Sequence, residues 1–397
     1  MVRGLVDRES FVVGKPVSGE LFYGRKDVIE TVVNSPGNSH ALVGIRRVGK
    51  TSILEELELR FRKKGVIALR VNIHDVIPFS IENFLNAYTT AVIDGYATVS
   101  KRKQLAERIK EFLKGKLAGV SDLIKSAHIE TDAVRMWFEF RQGTQKDLTQ
   151  LMQDVIAYPE KLAREAGSRV VIMIDEFQEL QKLGEDFMKS LRSNMQKTKK
   201  VDYVISGSSV GMMSYILGNP RSPFYNMFLA KRVGGLDDES ARRLLGRLKD
   251  FGVSLKGNLE KEIIVRTVAM PLYLQAIGKI SLLYCHEKET KSKRGCIINK
   301  EEFDTVIWRR LFGELYFHFE QLESYLHGKS RTISEVIAVR KVHAPSQIAR
   351  EAGMNLTSLP LYLKQLINEG FLEKREGGYY FTDPVFEEWF VRKKTIS

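Results

Sequence analysis

The chain has 397 residues, enough for two or three domains with cores of their own, and 43% of them are hydrophobic, as in soluble globular proteins. No segment reaches the ~20 uninterrupted apolar residues of a membrane span, and the N-terminus lacks the apolar core of a secretory signal. We therefore expect a cytoplasmic protein without a transmembrane segment. The net charge is +13, but residues 300–397 carry equal numbers of acidic and basic residues, so charge does not mark that segment as nucleic-acid-binding.

The first informative segment is the glycine-rich loop GIRRVGKT at residues 44–51, which matches G-x-x-x-x-G-K-[ST] at every fixed position. The apolar run 39–44 before it predicts a buried strand, and the helical spacing of apolar residues after it predicts a helix. In that setting the loop's backbone N–H groups and the positive end of the helix would bind phosphate. The alternative is an ordinary glycine turn at a helix start.

The chemistry of the loop assigns a role to each residue type. Lys50 would reach the β- and γ-phosphates, and the Thr51 hydroxyl would hold Mg²⁺. We therefore expect ATP, with ADP as the bound product, and Mg²⁺ as cofactors. The predicted nucleotide-binding residues of the loop are Gly44, Arg46, Arg47, Val48, Gly49, Lys50, Thr51 and Ser52.

Residues 65–76 read as a second strand, and residues 80–165 have a mostly helical pattern. Within that helical part, residues 98–128 are the most basic stretch of the chain, with a net charge of +5 and apolar residues near helical spacing. An amphipathic helix of this kind binds a membrane surface or a partner in some proteins, but more often it packs against its own core.

A second chemical signal is VVIMIDE at residues 170–176, an apolar run followed by two carboxylates. A run apolar on both faces is typical of a central parallel strand, and ligands of such sheets bind beyond the carboxyl ends of the strands. Asp175 would hold the metal, and Glu176 would deprotonate the water that attacks the γ-phosphate. Lys50, Asp175 and Glu176 are thus the predicted catalytic residues.

Two further strands are predicted at residues 201–206 and 229–236. The first ends in several serines, of which Ser206 or Ser208 could hydrogen-bond the γ-phosphate, although a plain turn is an equal alternative. Residues 237–285 read as a helical lid, followed by a polar linker at 286–299. Cys285 and Cys296 flank the polar part of that linker, and a disulfide between them is not expected in a reducing cytoplasm.

The C-terminal segment contains aromatic-rich helices at 300–330, further helices up to residue 370, and two short strands around Gly377-Gly378. Three helices followed by a β-hairpin predict a winged helix-turn-helix, which binds either DNA or a protein partner. The side chains that could contact DNA are Arg350, Ser358, Tyr362 and Lys364.

The predicted fold class is therefore α/β: a parallel-sheet P-loop NTPase core, a helical lid and a C-terminal winged helix-turn-helix domain. The core spans residues 1–235 with a helical insertion at about 80–165, the lid and linker span 236–299, and the helical segment and winged helix span 300–397. The sequence leaves the oligomeric state open.

The chain resembles the archaeal STAND-type P-loop ATPases, a branch related to AAA+ proteins. The likeness rests on FYGRKDVI (22–29), the phosphate loop, VVIMIDEFQEL (170–180), SGSSVGMM (206–213), MPLYLQAIG (270–278) and the winged helix. It implies a nucleotide-dependent switch that binds ATP; we see no guanine-reading Asn-Lys-x-Asp motif in the chain.

The resemblance also implies further site residues. Gly24 and Arg25 match the family motif that borders the nucleotide, and Pro271 matches the lid proline near the adenine. The segment SPFYNMF (222–228) resembles the family's SPLYGR motif but lacks its Gly-Arg. Arg221 and Arg232 are the nearest substitutes for an arginine that faces the γ-phosphate.

Overall fold

The structure is a computed structural model that describes residues 11–99, 145–165, 167–289 and 295–396. The strands are β1 (His40–Val43), β2 (Ile67–Asn72), β3 (Val170–Asp175), β4 (Val201–Gly207), β5 (Leu229–Arg232), β6 (Val253–Leu255), β7 (Cys296–Ile298), β8 (Leu372–Arg375) and β9 (Gly378–Phe381). The basic residues of the stretch 98–128, Lys101 onwards, lie outside the described residues.

Helices surround these strands. In the first part of the chain they are α1 (Lys26–Val33), α2 (Lys50–Lys63), α3 (Ile81–Val99), α4 (Gln145–Glu165), α5 (Glu185–Lys197) and α6 (Val210–Gly218). In the remainder they are α7 (Asp238–Gly246), α8 (Leu259–Arg266), α9 (Pro271–Glu289), α10 (Trp308–Glu314), α11 (Tyr316–Ser324), α12 (Gly328–Arg340), α13 (Pro345–Glu351), α14 (Leu359–Asn368) and α15 (Pro384–Ile396). Among the described helices, none is long and apolar enough to cross a membrane.

A five-stranded parallel sheet forms the centre of the first domain, in the order β2-β3-β4-β1-β5. The predicted strands and their parallel arrangement are therefore confirmed. Strands β1, β3 and β4 are buried along their whole length, which explains why the sequence there is a continuous apolar run rather than an alternation. Strand β5 lies at one edge and is largely exposed.

Alternate residues of the buried strands face two different hydrophobic cores. Leu42 and Met173 pack on one side with α1 and α2, in a core that continues into the lid and the C-terminal region. Ala41 and Ile172 pack on the other side with α3, α4 and α5. Full burial of each large aliphatic side chain stabilises the fold by about 1.5–3 kcal/mol. The sheet thus has fixed faces, and its carboxyl edge is a rigid base for the candidate site.

The lid differs from the sequence prediction in two ways. It is not helical throughout, because β6 pairs in parallel with β7, which lies in the segment predicted as a linker. These strands have only three residues each, too short to leave a periodic pattern in the sequence. Cys285 and Cys296 form a disulfide with 5.7 Å between their Cα atoms, so the expectation of unpaired thiols is wrong. The pairing of β6 with β7 positions Cys296 beside α9.

The C-terminal region contains helices α12, α13 and α14, and then the antiparallel hairpin β8–β9, in which Arg375 pairs with Gly378. The predicted hairpin is therefore confirmed. This region is attached to the lid by buried polar contacts: the Tyr273 hydroxyl of α9 donates to Asp383, which also accepts from two backbone N–H groups at the start of α15. Both partners are buried, so this contact joins the lid to the C-terminal region inside the protein.

Candidate nucleotide site

The loop between β1 and α2 has the backbone shape that an anion-binding loop requires. Gly49 caps α2 with a φ of 91°, a conformation that glycine adopts without strain, and Arg47 has a φ of 67°. A Cβ at Gly44 would lie 2.2 Å from the Val233 carbonyl oxygen, so the start of the loop also requires glycine. The two glycines of the motif are thus explained by different constraints, one conformational and one steric.

Lys50 lies at the first position of α2 and is 5% exposed. Its ammonium donates to the carbonyl oxygens of Gly44, at 2.9 Å, and Ile45, at 3.0 Å. Burial lowers the pKa of Lys50, while Glu176 and Asp175 oppose that shift. The side chain is therefore held across the mouth of the loop, where its charge is available to phosphate oxygens.

The residues predicted to hold a metal lie in direct contact. The Thr51 hydroxyl donates to Asp175 Oδ2 at 2.6 Å, and the Ser206 hydroxyl donates to Asp175 Oδ1. Mg²⁺ usually takes one or two protein oxygens and completes its shell with water and phosphate oxygens. Thr51 and Asp175 fit that donor set. Ser206 uses its proton on Asp175, so it orients the carboxylate rather than facing the γ-phosphate.

Glu176 directly follows β3 and has a φ of 56°, a left-handed conformation that is uncommon for residues other than glycine. Its Oε2 accepts from Gln178 Nε2 at 2.7 Å, and from Ser208 Oγ at 2.7 Å and Ser208 N at 3.2 Å. Burial raises the pKa of Glu176, but the hydrogen bonds from Gln178 and Ser208 and the fields of Lys50 and His74 lower it overall. The carboxylate is ionised and firmly held.

Lys50, Thr51 and Glu176 line a cleft of about 450 Å³, whereas Gln178 and Ser208 line a second cavity. The lining of the cleft combines charged and polar residues of the phosphate loop and the end of β3 with residues of the N-terminal segment and the start of α9: Arg46, Arg47, Lys50, Thr51 and Glu176, and Val12, Val17, Pro271, Leu272 and Gln275. Its volume falls in the range of small-molecule sites, in which a few polar groups are set among apolar ones. Pro271, predicted near the adenine, is among the lining residues, and a Cβ at Gly49 would lie 3.9 Å from its Cγ.

Gly24 and Arg25 are placed beside the loop but are not among the residues lining the cleft. The Arg25 guanidinium donates to Val48 O at 3.0 Å, Gly235 O at 2.8 Å and Gly234 O at 2.5 Å. A Cβ at Gly24 would lie 2.9 Å from Ser240 at the start of α7. The motif therefore joins the phosphate loop to the segment that leads into the lid.

The C-terminal region reaches the cleft through α11. His318, Gln321 and Leu322 line the cleft, and Arg46 donates to the Tyr325 hydroxyl at 2.8 Å while its guanidinium lies 4.8 Å from the ring centroid. Burial, with Arg47 and Arg46 adding to it, lowers the pKa of His318 to about 4, so the imidazole is neutral near pH 7.

A second contact joins the loop to the end of α14. A Cβ at Gly370 would lie 2.8 Å from Ile45 Cγ2, and one at Gly211 of α6 would lie 2.2 Å from the Asn368 side chain. Between these contacts lies a cavity of about 170 Å³, whose lining includes Gln178, Ser208 and Asp383. The C-terminal region thus packs on the loop and on the helix that follows β4.

Some predicted residues are not brought to the cleft. Arg221 and Arg232 are exposed and are not among its lining residues in the described part of the chain. Of the predicted DNA contacts, Arg350, Ser358 and Lys364 are exposed, whereas Tyr362 is half-buried against the hydrophobic core. Tyr362 is thus only partly accessible, and its role as a DNA contact stays a prediction.

Several residues around the site come from distant parts of the chain and are not among those predicted from the sequence. His318 and Leu322 belong to an aromatic-rich helix that carries no motif, and Val12 gave no signal. Gln275 lies in the quoted run MPLYLQAIG, and Gln178 lies two residues after Glu176 in the quoted run VVIMIDEFQEL. Its position beside the paired carboxylates could have drawn attention to it.

Residues 33–211 match the protein family described as AAA domain. No curated protein matches the chain significantly. Among solved structures, the Walker-type ATPase of Pyrococcus abyssi has a TM-score of 0.65 at 15% identity, covering 96% of this chain and 99% of that chain.

Two Aeropyrum pernix structures are more distant. The ADP form of the ORC2 protein has a TM-score of 0.49 at 13% identity, covering 98% of this chain and 99% of that one. The ORC1 protein in complex with DNA has a TM-score of 0.44 at 12% identity, covering 95% and 94%. Neither carries an argument at this distance. Residues 33–211 are thus similar to the AAA domain, and the Pyrococcus structure shows that the two chains share a fold.

Proposed function

We propose that this protein is an ATP-binding switch that hydrolyses ATP slowly, and that the nucleotide state controls the position of its lid and of a C-terminal winged-helix domain. The observation that carries the proposal is the contact between Arg46 of the phosphate loop and Tyr325 of the C-terminal region. A phosphate loop that also holds another domain can report its occupancy to that domain.

The proposed chemistry uses residues that are already in contact. Lys50 neutralises the β- and γ-phosphates, and Thr51 and Asp175 hold Mg²⁺, which supplies charge stabilisation when it is bound. Glu176 orients the attacking water and accepts its proton. Ser208, which bonds Glu176, is the proposed contact for the γ-phosphate. Arg221 or Arg232 could contact the γ-phosphate only if it moved towards the cleft, because neither of them lines it.

Calorimetric titration of full-length protein with Mg·ATP tests the binding step. We expect binding by the wild type and none by K50A, because the substitution removes the charge that faces the phosphates. Parallel titrations with Mg·GTP test the choice of base. Equal affinity of K50A and wild type for Mg·ATP would reject the site.

The alternative function is DNA reading by α14. The exposed Arg350, Ser358 and Lys364 favour it, but Asn368 at the end of the same helix is packed against Gly211 of the core. Leu356, just before the helix, and Leu361, in its first turn, are 56% and 69% exposed, where a DNA-reading surface would be polar and basic. These exposed apolar residues favour a protein partner for this domain.

Fluorescence anisotropy with one DNA duplex at two salt concentrations distinguishes DNA reading by α14 from non-specific binding of DNA by the basic ATPase half. Phosphate contacts would make the affinity fall by about 0.9 log unit per contact for each tenfold increase in salt. We expect weak, salt-sensitive binding by the full-length protein, caused by the basic ATPase half, and no loss on K364A. Sequence-selective binding that K364A abolishes would favour the alternative.

A further inference from the structure

Arg46 of the phosphate loop lines both cavities of the site. It lines the 450 Å³ cleft together with Lys50 and Glu176, and the 170 Å³ cavity together with Ser208. Burial lowers the pKa of Lys50, and the positive charge of Arg46 adds to that shift. Arg46 therefore lies close to the side chains that are proposed to bind and hydrolyse the γ-phosphate.

The guanidinium of Arg46 has a weak partner in this structure. It makes no ion pair with any residue that the structure describes; it donates to the neutral Tyr325 hydroxyl at 2.8 Å and lies 4.8 Å from the centre of that ring. The side chain is exposed, so it can turn without disturbing a core. A phosphate group is charged and can accept two parallel N–H bonds from a guanidinium, whereas the hydroxyl accepts one and is neutral. Bound ATP would therefore compete with Tyr325 for Arg46.

The other candidate arginines are less well placed for this contact. In the described part of the chain, Arg221 and Arg232 line neither cavity. Arg47 lines the cleft but not the cavity that Ser208 lines. Because Ser208 is the proposed contact for the γ-phosphate, the arginine that lines the same cavity, Arg46, is the one best placed to share that contact.

We infer that Arg46 is the arginine that contacts the γ-phosphate of ATP, and that Tyr325 of the C-terminal region competes with the γ-phosphate for it. In hydrolysis the water oxygen bonds to the γ-phosphorus as the bond to the bridging oxygen breaks; that oxygen leaves on ADP with the bonding electrons, and Glu176 takes the proton of the water. Arg46 exchanges no proton and stabilises negative charge on the phosphoryl oxygens. The inference rests on the proposed ATPase function, and it makes the contact with Tyr325 an inhibitory one.

The first test compares the affinities of full-length variants for Mg·ADP and for a non-hydrolysable ATP analogue with Mg²⁺, by calorimetry. We expect R46Q to bind Mg·ADP like wild type, which also shows that it is folded, and to bind the analogue about tenfold more weakly, because only the analogue has a γ-phosphate. K50A should lose both, since Lys50 neutralises the β-phosphate as well. R309Q is the control for the lost charge, because Arg309 is exposed and lines neither cavity.

The second test asks whether Tyr325 competes for Arg46. Y325F removes the hydroxyl and should raise the affinity for the analogue about threefold, leave that for Mg·ADP unchanged, and have no effect in the R46Q background. Single-turnover hydrolysis at saturating Mg·ATP should be about a hundredfold or more slower in R46Q than in wild type and R309Q.

Three results would overturn the inference: equal losses of affinity for Mg·ADP and the analogue in R46Q, wild-type hydrolysis by R46Q, or a gain in Y325F that persists in R46Q/Y325F. Wild-type protein that binds neither nucleotide would instead reject the proposed function as a whole. Wild-type protein that binds both but does not hydrolyse ATP would reject the proposed hydrolysis, and the affinities for the analogue would then decide whether Arg46 contacts the γ-phosphate.

Discussion

The contact between Arg46 and Tyr325 gives a quantitative prediction about how the phosphate loop is attached to the C-terminal region. The guanidinium donates to the hydroxyl at 2.8 Å and lies 4.8 Å from the ring centroid. At a largely exposed site the stacking is worth about 0.5–1 kcal/mol and the hydrogen bond about as much. We therefore expect a coupling of about 1–2 kcal/mol between the two side chains in the nucleotide-free protein.

A double-mutant cycle of R46A and Y325A, followed by urea unfolding, measures this coupling. Trp308 and Trp389 are buried in the C-terminal region, so intrinsic fluorescence reports the unfolding of that part. Y325F keeps the ring and should retain about half of the coupling. The control cycle pairs R46A with F317A, since Phe317 lies on the same helix and is 85% exposed. Coupling below about 0.3 kcal/mol, or equal coupling in the control cycle, would refute the reasoning.

Three further predictions follow from the site and the lid. E176Q should bind Mg·ATP like wild type but hydrolyse it at least about a hundredfold more slowly in single-turnover assays, because the water loses its base; unaffected turnover would assign the base elsewhere. Because burial, with Arg47 and Arg46, lowers the pKa of His318 to about 4, the unfolded imidazole takes up a proton at higher pH than the folded one. Stability should therefore fall as pH drops below about 6.5, by about 1–2 kcal/mol more at pH 5 in wild type than in H318N; parallel urea-unfolding profiles would contradict this. Reduction with dithiothreitol should destabilise the wild type by about 2–3 kcal/mol and leave C285S/C296S unchanged, and an identical shift in both would argue against the disulfide.

The parts of the fold that could be predicted from the sequence are those determined by residues close together in the chain. Strands β1, β3 and β4 were predicted because burial on both faces demands continuous apolar runs. Lys50, Thr51, Asp175 and Glu176 were predicted together because parallel strands and the loop after β1 end at one edge of the sheet. Their mutual contacts agree with that expectation.

The remaining features depend on contacts between distant segments. His318 reaches the cleft only because the C-terminal region packs on the loop, an arrangement that no local pattern encodes. The disulfide depends on the pairing of β6 with β7, which are too short to show periodicity. The expectation of free thiols rested on the redox state of a cytoplasm, which is a property of the compartment and not of the fold. The half-burial of Tyr362 depends on the rotation of α14 about its own axis. Helical spacing predicts which face is buried, but not which residues lie at the border of that face.

The most direct test of the proposed switch is a distance measurement between the core and the C-terminal region in different nucleotide states. Lys26 and Glu376 are exposed, one on α1 and one in the turn of the β8–β9 hairpin, and the chain's two cysteines are joined to each other, so K26C and E376C accept spin labels selectively. Pulsed electron–electron double resonance should give different distance distributions with Mg·ADP and with a non-hydrolysable ATP analogue. The same labelled protein that also carries K50A should show no change with either nucleotide. The same distribution in every state, in protein that binds both nucleotides, would contradict the proposal that nucleotide controls the C-terminal region.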